Sequence, residues 1–129
     1  MRPSIADLIG IKYKTNGKNK IEGFDCYTFV QCVENRFGHP MRGVSYDGSF
    51  EKAFEDNTEN VIKRERLIET KTPAYGDIIL FLDGKGRGIH VGVYLEDNRF
   101  AHCDKQGSHV SSLDYYMTWS NWRFYTWSD

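Results

Sequence analysis

The sequence predicts an α+β fold, in which N-terminal helices pack on an antiparallel β-sheet, and two patterns carry that prediction. In the first third of the chain, apolar residues recur at helical spacing; they are Cys26, Val30, Val33 and Phe37. From residue 74 onward this pattern gives way to short apolar or alternating runs, which are typical of strands. Because the helices precede the strands instead of alternating with them, the layout is α+β.

Length and composition describe one ordinary globular domain, which we assign to residues 1–129. Hydrophobic residues make up 40% and charged residues 27% of the chain, and no repeat or Pro/Gly/Ser-rich linker divides it. Seventeen basic and eighteen acidic side chains leave a formal net charge of -1. We therefore expect no nucleic acid and no membrane as partner, since both require a cationic surface. No stretch reaches the ~18 apolar residues of a membrane helix.

The N-terminal segment predicts a short helix over about Pro3 to Ile11, with proline in the first helical turn. Asp7 interrupts its apolar part, so a signal-peptide core is lacking and we expect the chain as given to start in the cytoplasm. Further along, residues 51–57 predict a weak, solvated helix, and residues 59–71 are charged and ambiguous. The odd number of cysteines, three, favours reduced thiols, one of them reactive.

The best-defined helix begins at Asp25, a favoured N-cap residue, and stops at Gly38, shortly before Pro40. Cys26 then occupies the first helical turn, where unpaired N–H groups and the helix dipole favour an anion. A cysteine acts as a nucleophile only as its thiolate. The sequence thus predicts that Cys26 has a lowered pKa.

Two strands are predicted at the centre of the sheet. Residues 77–82 are a continuous apolar run bounded by glycines, consistent with a strand buried on both faces. Residues 88–95 alternate. The face expected toward the core carries Ile89, Val91, Val93 and Leu95; the face expected toward the helix of Cys26 carries His90, Gly92 and Tyr94. Further strands are predicted at residues 99–103, 108–113 and 122–127.

The turn between the strands of His90 and His102 decides whether these two imidazoles can meet. A two-residue turn at Asp97 and Asn98 would place them on opposite faces of the hairpin. A three-residue turn, over residues 96–98, would pair Gly92 with His102 and put His102 diagonal to His90, about 7–8 Å away by backbone. The sequence leaves both turns open. A histidine base oriented by a second histidine requires the longer one, and with it Tyr94 opposite Phe100.

Several segments, in this order, resemble the NlpC/P60 peptidases, a papain-like family of cysteine hydrolases. The segment from Gly23 to Cys26, with the apolar helix behind it, resembles the nucleophile motif of that family. A similar match to the strand block of the family is found in residues 76–81, 90–95 and 99–102. The upstream segment of the family resembles the part of this sequence with Tyr13 and Gly17. The resemblance extends from about Ile9 to Phe124.

The resemblance implies a Cys-His-His triad that hydrolyses amide bonds without a cofactor or metal. Cys26 is the implied nucleophile, His90 its base and His102 the residue that orients the base. Tyr13 and Asp25 are assigned to the oxyanion and substrate-binding side of the site, although an ordinary packed role for Tyr13 is nearly as well supported. The implied substrate is the peptide stem of bacterial peptidoglycan.

The residues after Cys26 depart from the family pattern, since Tyr27 and Thr28 stand where many members have Ser and Gly. An aromatic at the first position resembles the phage-tail branch, and with the missing secretion signal it suggests delivery to the cell wall by a phage tail or a secretion apparatus. Two other functions remain open. One is an acyltransferase or deamidase toxin with the same triad, and the other is a structural phage-tail module with little turnover.

The remaining candidate residues have ordinary structural interpretations. Cys32 and Cys103 are predicted to be packing residues, and His39 and His109 to lie at the surface or in turns. The glycine-rich residues 84–88 lack the Gly-Lys-Ser/Thr ending of a phosphate loop and indicate a mobile hairpin loop. The aromatic C-terminal segment, residues 115–127, is predicted to close the core, with a stacking surface for glycan or protein as the alternative. No zinc site is expected, because Cys26, His90, His102 and Cys103 lack metal-motif spacing.

Overall fold

The computed structural model describes residues 3–42, 58–116 and 121–128. A 3-10 turn at Ala6–Leu8 precedes helix α1, Cys26–Arg36, and a second helix, α2, covers residues 58–64. The strands are β1 Leu67–Thr70, β2 Ile78–Leu82, β3 Gly88–Tyr94, β4 Arg99–Asp104, β5 Gly107–Ser112 and β6 Asn121–Trp127. A short helix, α3, at Leu113–Tyr116 follows β5.

The strands form one six-stranded antiparallel sheet in the order β1-β6-β2-β3-β4-β5. All five residues of the central strand β2 are buried, as the continuous apolar run predicted. The ambiguous segment 59–71 divides into the end of α2 and the edge strand β1, with Arg66 at a φ of 58° between them. The α+β prediction is therefore confirmed. The weak helix predicted at residues 51–57 lies outside the described part of the chain.

Alternating side chains place different layers on the two faces of the sheet. On one face, Ile78 and Leu80 belong to the main core with the apolar side of α1, including Phe29 and Val30. On the other face, a smaller cluster forms; its buried members are Ile79, Phe81, Phe100 and Leu113. Helix α1 thus covers one face only, which decides where each residue of β3 and β4 can point.

The predicted N-terminal helix is wrong, because only Ala6–Leu8 forms a 3-10 turn. After it, Ile9 is extended and Gly10 takes a φ of 83°. The Gly10 N–H donates to the Ser108 carbonyl at 2.8 Å, and the Ser108 hydroxyl donates to the Leu8 carbonyl at 2.6 Å. Tertiary hydrogen bonds to β5 thus take up the backbone groups that would have continued a helix.

A bulge at the start of β3 changes the predicted alternation. Phe81 pairs with His90 and Leu82 with Gly88, so Ile89 is an extra residue and is 47% exposed. The core-face prediction therefore holds for Val91 and Val93 but is wrong for Ile89. The expectation that the His90 face lies toward α1 is also wrong. The helix packs on the valine face, because side chains two residues apart share a face and the buried valines belong to the helix cluster.

Candidate active site

The N-terminus of α1 is fixed by a capping box between Asp25 and Thr28. The Thr28 N–H donates to Oδ1 of Asp25 at 2.8 Å, and the Asp25 N–H donates to the Thr28 hydroxyl at 3.0 Å. The second carboxylate oxygen accepts the N–H of Asn16 at 2.6 Å. The N-cap prediction is confirmed, and Thr28 is explained as the capping partner at the third helical position. Because Asp25 is fully buried, it lies beneath the site as a support.

Tyr27 is also explained by a structural role. It is 3% exposed, and its hydroxyl donates to the Arg42 carbonyl at 2.6 Å while accepting from the Arg64 guanidinium at 3.2 Å. Burial raises the pKa of Tyr27 to about 12. The aromatic residue after Cys26 thus joins α1 to the chain at Arg42 and to α2.

The Cys26 thiol lies between α1 and β3 and is only 3% exposed. Burial, followed by the nearby Asp25 carboxylate, raises the pKa of Cys26 well above the ordinary value. The N–H groups of Val91 and of Cys26 itself act in the opposite direction, because they favour the thiolate. The expectation of a lowered pKa is therefore wrong for this arrangement, in which burial outweighs the helix N-terminus.

The hairpin of β3 and β4 has the three-residue turn. Val93 pairs with Ala101 and Tyr94 with Phe100, and the Leu95 N–H donates to the Arg99 carbonyl at 2.9 Å. Residues 96–98 therefore form the turn. The paired positions end at Val93, and beyond them Gly92 still lies beside His102, since a Cβ built on Gly92 would be 3.1 Å from that of His102. The predicted pairing of Tyr94 with Phe100 is confirmed, and the absence of a side chain at Gly92 lets the Ala101 carbonyl and the Phe100 ring approach closely.

The two histidines meet on the face of the sheet opposite α1. Nε2 of His90 lies 2.7 Å from Nδ1 of His102, with the rings at 76° to each other. Nε2 of His102 lies 2.8 Å from the hydroxyl of Ser111 on β5. Burial lowers the pKa of His90 to about 4 and that of His102 to about 3. Both imidazoles are therefore neutral at neutral pH, and one N–H is shared between them.

The structure brings Cys26 to the backbone of the predicted base but not to its ring. The Val91 N–H interacts with the Cys26 thiol, and Val91 directly follows His90. The His90 ring contacts the rings of Phe81 and His102 on the other face. Among the described residues, no hydrogen bond joins Cys26 to His90.

Tyr13 lies beside the start of α1. It pairs with Phe24 in an isolated parallel bridge and packs against the main core. Its hydroxyl lies 3.3 Å from that of Thr15. The structure thus places Tyr13 beside Phe24, which precedes Cys26 by two residues.

Sequence reasoning missed a second polar group next to His102. His109, expected at the surface or in a turn, sits opposite His102 in the β4–β5 ladder, with ring centroids 4.4 Å apart. Its Nε2 lies 3.0 Å from Oδ2 of Asp104. The signal was present in the sequence. His102 and Asp104 are two residues apart, as are His109 and Ser111, and a short turn separates the pairs, so all four side chains share one face.

Possible metal donors divide between the two faces of the sheet. Cys103 points away from His102, as predicted, and its thiol donates to the Phe24 carbonyl at 3.1 Å on the helix side. The sheet thus separates the Cys26 and Cys103 thiols from the imidazoles. Within the described ranges, one group places three donor atoms within 4.8 Å of one another: His102, Asp104 and His109. These atoms are engaged in the hydrogen bonds given above.

The aromatic C-terminal strand closes the fold, as predicted for its described part. Trp122 and Phe124 pack on the smaller cluster, while Tyr125 is buried in the main core. Trp127 stacks on His39 with centroids 4.6 Å apart, and its indole N–H donates to Glu34 at 3.3 Å. None of the helices in the described ranges is long and apolar enough to cross a membrane.

Comparison with known proteins adds the family to this geometry. Residues 10–127 match the NlpC/P60 family. The chain belongs to the NlpC/P60 family. The family prediction is confirmed, and the match includes Cys26, His90 and His102, the residues that the structure places at the helix start and on the opposite face of the sheet.

Two curated relatives and two solved structures give the extent of the similarity. The chain is 30% identical over 111 residues to the murein DD-endopeptidase MepS/murein LD-carboxypeptidase of Escherichia coli (strain K12), a match that covers 84% of this chain and 51% of that protein. It is 26% identical over 107 residues to the probable peptidoglycan endopeptidase LytE of Bacillus subtilis (strain 168), covering 83% and 27%. The chain thus spans about half the length of the first relative.

The solved structures share the fold. The NlpC/P60 domain of the peptidoglycan hydrolase SagA superposes with a TM-score of 0.58 at 21% identity, covering 91% of this chain and 88% of that one. An NLP/P60 family protein similar to lipoprotein from Staphylococcus aureus subsp. aureus Mu50 gives 0.59 at 23% identity, covering 91% and 37%. Both comparisons agree with the observed arrangement of a helix on an antiparallel sheet.

Proposed function

We propose that this NlpC/P60 domain is a cysteine endopeptidase or amidase that hydrolyses amide bonds in peptidoglycan stem peptides. One observation carries the proposal: the Cys26 thiol at the capped start of α1 lies near enough to the Val91 N–H for that group to favour the thiolate, and His90, the residue before Val91, has its Nε2 2.7 Å from Nδ1 of His102. The names of the relatives, a murein endopeptidase and a probable peptidoglycan endopeptidase, support the substrate class.

In the proposed reaction, the Cys26 thiol and Nδ1 of His90 come together while Nε2 of His90 stays on His102, and Nδ1 takes the proton from the thiol. The sulfur attacks the substrate carbonyl carbon, and the resulting oxyanion is stabilised by the Cys26 N–H with the Tyr13 hydroxyl. The protonated His90 then donates its proton to the leaving amine, and the C–N bond breaks. The acyl group remains on sulfur as a thioester.

Water completes the cycle. Neutral His90 accepts a proton from the water as its oxygen attacks the thioester, and the proton returns to the departing sulfur. His102 accepts the Nε2–H of His90 throughout, so that Nδ1 of His90 keeps the lone pair that each step uses. With the pKa of Cys26 raised and that of His90 lowered to about 4, a thiolate–imidazolium pair is disfavoured at rest, so in this proposal the thiol loses its proton only as the sulfur attacks the carbonyl carbon.

The test is digestion of purified sacculi and of a synthetic stem tetrapeptide, with the released amines measured by mass spectrometry. The wild-type chain should release new amino termini or free amino acids, and Cys26→Ala should release none. Cys32→Ala, which removes a half-buried thiol on the same helix, is the matched control and should retain activity. Activity in Cys26→Ala, or none in the wild type on either substrate, would contradict the proposal.

Two further substrates, a glutamine-containing protein and an added acceptor amine, separate the alternatives that the sequence leaves open. A deamidase would release ammonia from a glutamine-containing protein without shortening a peptide, and an acyltransferase would join the acyl group to an added amine. A structural module would release nothing from any substrate. Delivery by a phage tail or a secretion apparatus remains a prediction from the sequence, and labelling of the chain in the particle would test it.

A further inference from the structure

A chain of hydrogen-bonding groups continues beyond the His90–His102 pair, passes to β5 and returns to β4. Nε2 of His102 lies 2.8 Å from the Ser111 hydroxyl, which lies 3.5 Å from Nδ1 of His109. Nε2 of His109 lies 3.0 Å from Oδ2 of Asp104. The chain therefore runs from the proposed base to a carboxylate through four contacts, the third of them at the long limit of a hydrogen bond.

The β4–β5 ladder holds these groups in place. His102 pairs directly with His109, and Asp104 pairs with Gly107 at the turn. Ser111 is two residues beyond His109 and so stands on the same face. His102 is 1% exposed, whereas the side chains of Asp104 and His109 are each 36% exposed. The chain thus leads from a buried imidazole to a carboxylate at the surface.

The carboxylate end gives the chain a direction. Because an ionised carboxylate only accepts, Nε2 of His109 carries the hydrogen, and whenever the His109 ring is uncharged its Nδ1 accepts. The Ser111 hydroxyl then donates to His109, and its oxygen accepts the Nε2–H of His102. This leaves Nδ1 of His102 as the acceptor for the Nε2–H of His90. Nδ1 of His90 is left unprotonated, as a general base requires.

We propose that Asp104, His109 and Ser111 are positioning residues that fix the tautomers of His102 and His90. The inference rests on the proposed function for its catalytic consequence, but the tautomers themselves can be measured without turnover. A chain that ended at Ser111 would lack a direction, since a serine hydroxyl both donates and accepts. His102 and His90 would then exchange between two tautomers, and only one of them leaves Nδ1 of His90 unprotonated.

The spectroscopic test uses the whole protein with the substitution Cys26→Ala, labelled with ¹⁵N at histidine. In long-range ¹H–¹⁵N spectra at neutral pH, Nδ1 of His90 and of His102 should each give the signal of an unprotonated ring nitrogen. Asp104→Asn, whose amide can both donate and accept, and Ser111→Ala should each move these signals toward the average of two tautomers. Ser111→Thr keeps the hydroxyl and should restore them.

Controls and the contrary outcome are built into the same spectra. The His39 signals, from a ring stacked on Trp127, should stay in place, and so should all histidine signals in the neighbouring variant Ser112→Ala. Should Ser111→Ala fail to fold, Asp104→Asn at the partly exposed end of the chain still decides. Unchanged His90 and His102 signals in the folded variants would overturn the inference, whatever the enzyme assays show.

Steady-state kinetic assays of variants that keep Cys26 supply the second measurement. Ser111→Ala and Asp104→Asn should lower kcat by about 10- to 100-fold with little change in KM, less than the roughly 10²–10⁴-fold that general acid–base catalysis supplies. Turnover that survives Cys26→Ala refutes the proposed function and leaves the tautomer result standing. Full kcat in both positioning variants, beside an inactive Cys26→Ala, refutes the catalytic part of this inference alone.

Discussion

Nε2 of His90 lies 2.7 Å from Nδ1 of His102 although the two residues occupy diagonal positions on neighbouring strands. The contact depends on the three-residue turn, in which Asp97 and Asn98 adopt positive φ values of 57° and 59°. Both residue types tolerate this left-handed conformation better than most. A turn shorter by one residue would carry His102 to the helix face and break the pair.

Replacement of the second histidine should slow turnover without removing the base. We expect His102→Ala to lower kcat by about 10²-fold, within the range of an acid–base contribution, because the His90 ring loses the acceptor that fixes its tautomer. His102→Gln offers an acceptor oxygen at a similar reach and should recover part of the rate. A steady-state assay on the stem tetrapeptide measures both. Full activity in His102→Ala would reduce the proposed triad to a Cys26/His90 pair.

Alkylation of Cys26 should depend on His90. Burial raises the pKa of this thiol, so a thiolate at neutral pH requires proton transfer to the imidazole. We expect His90→Ala to slow iodoacetamide labelling of Cys26 at least about tenfold, as followed site by site with mass spectrometry. Labelling of Cys32, which lies on the same helix and away from the histidines, is the internal reference. Equal Cys26 rates in the two proteins would show that His90 does not activate the thiol.

Asp25 should matter for folding through both of its oxygens. Loss of the N-cap costs about 0.5–2 kcal/mol, and the part-buried N–H of Asn16 loses its partner as well. Asp25→Ala should therefore lower the free energy of unfolding by more than the loss of an ordinary N-cap does. In Asp25→Asn, the amide NH₂ would face either the Asn16 or the Thr28 N–H, both of which are donors. This variant should also be destabilised, which the sequence alone did not predict.

Urea unfolding of the two Asp25 variants checks this prediction. Thr28→Ser, which keeps the hydroxyl of the capping box, is the matched control and should change stability little. An Asp25→Asn variant as stable as the wild type would show that the contact to the Asn16 N–H contributes nothing.

Glu34 should make the stability depend on pH in a direction unusual for a carboxylate. It is fully buried in α1, Oε1 has no partner among the described residues, and burial raises its pKa from 4.5 to about 8. Between these values the folded state holds a proton that the unfolded state releases. The free energy of unfolding therefore falls as the pH rises, by up to about 1.4 kcal/mol per pH unit. Glu34→Gln removes this loss.

The difference in unfolding free energy between Glu34→Gln and the wild type should thus grow from pH 4.5 to about pH 8. Comparison of the two proteins cancels the opposite contribution of His90 and His102. Those imidazoles stay neutral in the folded state, so their contribution to the free energy of unfolding is lost as the pH falls from 6.5 toward about 4. Glu69→Gln, on the exposed edge strand β1, is the control and should show no trend. A Glu34→Gln difference that is constant with pH would refute the assignment.

The sequence by itself determined the features that depend on neighbouring residues. The N-cap at Asp25, the helix behind it and the buried strand β2 follow from local spacing, because capping and alternation act within a few residues. The hairpin register also followed, once the chemistry of His90 and His102 was required to select the turn. These features were enough to identify the family and to name the residues of the candidate site.

Only the tertiary structure decided which groups meet across the sheet. The bulge at Ile89, the side on which α1 packs and the pairing of His109 with His102 depend on strands that are distant in sequence. The same holds for the Cys26 pKa. A helix N-terminus predicts a lowered value, but the depth at which the thiol is buried between α1 and β3 reverses it. Local patterns fix each element, whereas burial and cross-strand contacts exist only after the elements have packed.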